Sequence, residues 1–129
     1  MFRPFAITLF AVAACGLLSV TARADSASET VTAMTHANLA AAAADINGVH
    51  MHLHHALNCL VGPNGNGFDA KELNPCANAG RGAIPDATDA AKKKTLGAAA
   101  DKLRAGIASS DLKTAQQAGT DAATMLKGK

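Results

Sequence analysis

The sequence has no Trp and no Tyr, and of its four Phe only Phe68 lies beyond residue 10. A chain so poor in aromatic rings lacks the platforms on which nucleic-acid bases stack, and it offers little lining for a porphyrin. Excess charge is missing too. Beyond residue 24, ten Lys and Arg face ten Asp and Glu, which removes the basic footprint of a nucleic-acid binder. Large aliphatics make up only about one in seven of those residues, so a core built from them is thin. No Cys-x-x-Cys-His run is present for covalent haem attachment, and no nucleophile–base pair or carboxylate dyad stands out. Past residue 24, no stretch is long and apolar enough to span a bilayer. Nucleic-acid partners, a membrane span and an enzymatic role are therefore not expected.

What the chain does have begins with a leader. Met1-Phe2-Arg3 gives a positive start, Ala6 to Val20 is almost wholly apolar, and Ala22-Arg23-Ala24 is a small-x-small site before Asp25-Ser26. That is the layout of a secretory signal peptide, cut after Ala24. It predicts a periplasmic or secreted product. Val12-Ala13-Ala14-Cys15 also resembles a lipoprotein box, and acylation at Cys15 would anchor the product by lipid. The residues that follow Cys15 are more apolar than an acylated start usually is, which favours cleavage at Ala24.

Cys59 and Cys76 remain in the mature chain. An even count in an oxidising compartment reads as a disulfide, stabilising by roughly 3 kcal/mol for a loop of this length. The competing reading makes Cys59 a thiolate ligand, since His55 lies one helical turn before it.

Beyond the leader, the pattern predicts an all-α fold: a small bundle of three or four helices in a single domain, 25–129. Ser26-Ala27-Ser28-Glu29 matches a capping box. The Ala run 40–44 has the highest helix propensity available. Leu39, Ala42, Ile46, Val49, Leu53, Ala56 and Leu60 recur at spacings of three and four, so one helix is expected over about 27–61. Asn47-Gly48 leaves room for two helices meeting there. From 62 to 85 the chain holds five Gly, three Pro and four Asn. It reads as a long loop, with a turn of helix near 70–73, tethered by the disulfide. Asp86 is a plausible cap for a helix over about 86–108, with Leu96, Ala100, Leu103 and Ile107 buried. A second helix over about 111–127 completes an antiparallel hairpin. Lys92-Lys93-Lys94 reads as a solvated face.

Chemistry concentrates in one place. All five His fall between positions 36 and 55, four of them in His50-Met51-His52-Leu53-His54-His55. His50 and His54 are one helical turn apart, as are Met51 and His55, so they form a contiguous outer patch. His52 lies nearer the opposite shoulder. Imidazoles at i, i+4 can direct two nitrogens at one ion. The remaining ligands would come from water, a carboxylate such as Asp45, the C-terminal helices or a second copy of the chain. His36, on a continuous helix, would sit more than about 20 Å away along the axis. It joins only if the chain folds back near Gly48. Nitrogen ligands suit Cu(II), Ni(II) or Zn(II).

Other sites fare worse. A b-type haem on His and Met34 or Met125 would lack lining. Asn64, Asn66, Asp69 and Glu72 hint at calcium, but Phe68 and Asp69 stand where an EF-hand wants a ligand and a Gly. As a strand, the segment would put His50, His52 and His54 on one face, against which the Ala run and the heptad spacing argue.

Through Thr35-His36-Ala37, the His50–His55 cluster and the Leu/Ala spacing of 96–126, the chain resembles the small periplasmic His-rich helical metal-binding proteins of bacteria. The resemblance covers the helices only. It implies a periplasmic bundle and carries over His50, His54 and His55 as candidate ligands. Those relatives spread His over every helix, whereas the C-terminal helices here have none. The expected function is reversible binding of copper, nickel or zinc, as buffer or carrier. The alternative is a metal-free structural or interaction module meeting another periplasmic protein.

Overall fold

The computed structural model describes residues 25–129. The leader, its cleavage site at Ala24 and Cys15 lie outside the described residues. Five helices pack together: α1 Ser26–Ala42, α2 Ile46–Val61, α3 Ala83–Asp86, α4 Ala90–Ala108 and α5 Leu112–Leu126. The fold is all-helical among the described residues, with four long helices and α3 as a single turn. No helix among them is long and apolar enough to cross a membrane.

The stretch expected as one helix over 27–61 is two helices. Ala43 leaves helical geometry with ψ 141°, and Asp45 caps α2 by accepting the Gly48 amide at 2.9 Å. Propensity alone would carry an Ala run through this point. Burial decides otherwise. A helix of that length would extend about 50 Å and leave both halves of its apolar face without a partner. Folded back, Ala33, Ala37 and Ala40 of α1 and Val49, Leu53, Ala56 and Leu60 of α2 enter one core. Gln116 of α5 donates to the freed Ala43 carbonyl at 2.8 Å. Leu39, placed by periodicity on the buried face, is 43% exposed, because the stripe of α1 runs through Ala37 and Ala40 instead.

The four long helices all start at an Asp side-chain cap. Asp25 accepts from the Ala27 amide, Asp89 from Lys92 and Asp111 from Thr114. Two expected caps are displaced. Ser26 and Glu29 form no capping box: the Ser26 hydroxyl donates to the Ala83 carbonyl, and Glu29 turns inward to accept the Gly82 amide at 2.9 Å. Asp86 belongs to α3, where it accepts from the Arg81 amide and Nε, so α4 starts at Ala90 rather than near 86. The short helix expected near 70–73 is a hydrogen-bonded turn closed by Glu72 N–H to the Asp69 carbonyl.

The four long helices run alternately up and down. His50 meets Ser109, Gly106 lies against Leu53, and Gly119 lies against Ala37. Few large side chains are available, so the helices approach on small residues. A Cβ on Gly119 would stand 2.7 Å from the Ala37 carbonyl oxygen, and one on Gly106 would stand 2.7 Å from the Ala118 Cβ. Lys93 and Lys94 are exposed. Gly62 ends α2 at φ 68°, pressed so close to the Arg81 carbonyl that a side chain has no room. The Cys59–Cys76 disulfide is formed, with Cα atoms 5.1 Å apart. It leaves Cys59 no thiolate to offer a metal.

Two predictions follow from packing. Gly119→Ala gains up to about 1 kcal/mol of helix propensity but forces α5 off the α1 backbone, a strain of about 1–3 kcal/mol. A lower urea midpoint is expected, and a raised one would contradict the close approach. Glu29 is fully buried, and burial, more than any charge near it, raises its carboxyl above the usual range. A raised value means that the folded state holds the proton more tightly than the unfolded chain. Glu29's contribution is therefore complete below the unfolded value and fades as pH rises through the folded one. Glu29→Gln keeps an acceptor for Gly82, so its stability advantage over wild type should grow between about pH 4.5 and about pH 7. Urea titrations across that range check it.

Candidate metal centre

The fold-back of α1 on α2 gathers three imidazoles. His36 of α1 meets His52 and His55 of α2, with ring centroids 5.5, 5.1 and 5.7 Å apart for the pairs 36–52, 36–55 and 52–55. One nitrogen from each ring can be chosen so that all three lie within 4.8 Å of one another, close enough to hold one metal ion. His36 Nδ1 stands 3.3 Å from His52 Nδ1. Two nitrogens at Zn–N bond length on a tetrahedral ion would be about 3.3 Å apart. That edge already has the dimension that a shared ion needs.

The electrostatics favour lone pairs. Burial lowers the His36 value, and the positive charge that His55 and His52 would carry lowers it further. Burial also lowers His55, with Glu72 opposing and His52 and His54 adding to the effect. Both shifts favour the neutral ring, the form whose lone pair a metal takes. His55 Nδ1 is buried and has no hydrogen-bond partner.

Of the residues singled out by helical spacing, His52 and His55 stand in this group. His50 instead pairs its Nε2 with the Ser109 carbonyl at 2.8 Å. His54 turns Nδ1 toward Asp69 Oδ2 at 3.9 Å. Met51 is 40% exposed, and Asp45 is committed to capping α2. The i, i+4 pair His50–His54 thus looks outward to the end of α4 and the loop, while the i, i+3 pair His52–His55 faces α1. His36 is the residue that spacing along one helix set aside. The readable signal for it was Asp45, a strong N-cap type three residues before Gly48.

A cavity of about 450 Å³ opens elsewhere, lined in part by Arg81, Lys93 and Arg104 and by no histidine. Arg81 is paired with Asp86 and Arg104 with Asp101, so most of its positive charge is already matched.

Compared with known proteins, the chain matches no family model, no curated sequence and no solved structure.

For the metal-free protein the lowered His values set a pH dependence. The folded state binds these protons less tightly than the unfolded chain, so the contribution is complete above about pH 6.5 and is lost as pH falls toward the depressed values. The stability difference between wild type and His36→Asn should shrink from about pH 7.5 to about pH 5.5, because only wild type carries the His36 term. Chemical denaturation after chelator treatment measures it, and a constant difference would refute it.

Proposed function

We propose that this is an exported, periplasmic metal-binding protein that takes up a transition metal ion reversibly through His36, His52 and His55. It would serve as a buffer or carrier rather than an enzyme. The observation that carries this reading is the convergence of three imidazoles from two helices on one point. Three nitrogen donors suit Zn(II), Cu(II) or Ni(II), and raw affinity ranks Cu(II) above the other two. Three protein ligands leave a position for water or an exchanging group, which suits a carrier better than a closed structural site. Export draws its support from the leader and from the Cys59–Cys76 bridge, which fits an oxidising compartment. The likeness to small periplasmic His-rich proteins agrees with this but rests on this chain's own residues.

A metal-free packing role for the rings has one observation in its favour. His55 meets both His36 and His52 edge to face, at 84° and 89°, an arrangement that aromatic rings prefer without any ion. The two readings separate by titration calorimetry and native mass spectrometry on tag-free protein at about pH 7.5. One equivalent of ion should bind wild type and the His50→Ala/His54→Ala variant. The His36→Ala/His52→Ala variant should lose it. No uptake of Zn(II), Cu(II) or Ni(II) by wild type leaves packing as the role.

A further inference from the structure

The loop between α2 and α3 delivers a carboxylate to the triad. Asn58, with no exposed surface, clamps that loop from α2. Its amide nitrogen lies within hydrogen-bond distance of the carbonyls of Asp69, Leu73 and Glu72 at 3.0, 3.2 and 3.4 Å, and its oxygen accepts the Asp69 amide at 2.9 Å. One residue further along α2, Cys59 pins the far end of the loop through Cys76. Between these two fixings, Glu72 holds Oε2 3.6 Å from His55 Nε2.

That placement bears on the other side of the ring. A carboxylate facing Nε2 keeps the imidazole proton there, which leaves the lone pair on Nδ1. His55 Nδ1 is the buried atom without a partner, and His36 and His52 already turn Nδ1 toward each other. Metal-bound histidines commonly donate their second N–H to a carboxylate in this way, which fixes the tautomer and the ring orientation. We propose that Glu72 is the positioning residue of the metal centre. Its carboxylate holds His55 as the Nε2–H tautomer, with Nδ1 presented to the ion, and it does not itself bind the metal. The inference rests on the triad being a metal site, and it assigns the Cys59–Cys76 loop a part in the chemistry.

The test uses the disulfide-bonded mature protein, ¹⁵N-labelled on histidine, together with its Glu72→Ala, Glu72→Gln and Asp69→Ala variants. Ring ¹⁵N shifts of the metal-free wild type should show His55 protonated on Nε2, and Glu72→Ala should give a mixture of tautomers. Zn(II) affinity, read by competition with a chromophoric chelator, should fall about 10–100-fold in Glu72→Ala. Glu72→Gln, whose amide oxygen still accepts, should recover part of it. Asp69→Ala, on the same loop but facing His54, should stay within about 2-fold of wild type, which separates positioning from a loosened loop. The Co(II) spectrum at saturation should be the same in wild type and Glu72→Ala. A wild-type His55 protonated on Nδ1, equal affinity in Glu72→Ala, or a Co(II) spectrum altered by that variant would each overturn the assignment while the metal site stands. A wild type that takes up no ion overturns both.

Discussion

The short reversal between Ala42 and Ile46 is the constraint on which the rest depends. Three residues that leave helical geometry turn a single apolar stripe into two facing ones. The alanine face of α1 then has the valine and leucine face of α2 to lie against, and α5 and α4 close the ring. The same reversal brings residue 36 level with residues 52 and 55. Neither half of the helical pair could form the histidine group alone, because α1 supplies one ring and α2 two. Asp45 on the Gly48 amide and Gln116 on the Ala43 carbonyl satisfy backbone groups that a turn in this place would otherwise strand.

Small residues set the scale of everything else. With six Leu and two Val as the large aliphatics buried in the core, area must come from close approach, and glycine at 106 and 119 permits it. Close helices also bring polar side chains into contact that would otherwise be solvated. Glu29 on the Gly82 amide and His50 on the Ser109 carbonyl are examples. Each is a long-range tie made by a polar side chain, and together they fasten α1 and α2 to the segments that follow the loop.

Much of this was legible in residue order. The helical class, the Cys59–Cys76 bridge, the α4–α5 hairpin and the buried positions Leu96, Ala100 and Leu103 follow from periodicity and cysteine count. The break between α1 and α2 did not, because local propensity in an Ala run and tertiary burial pull in opposite directions there, and only burial knows about α5. His36 was lost with it, since its distance from the other rings is short in space and long along the chain. Loop positions such as Glu72 were illegible for a related reason. Turn residues announce where a chain bends, but not which helix the bend will drape over.

The chain link between α1 and α2 has a consequence for how an ion would be felt. Rings already gathered by packing would lose little freedom on coordinating an ion, so little of the binding energy would be consumed in ordering them. An ion bridging α1 and α2 favours only the state in which those helices touch, and by mass action it shifts the balance away from the open chain. Occupancy would then set how long the molecule survives in an environment that unfolds or digests it, making persistence itself a readout of the surrounding metal.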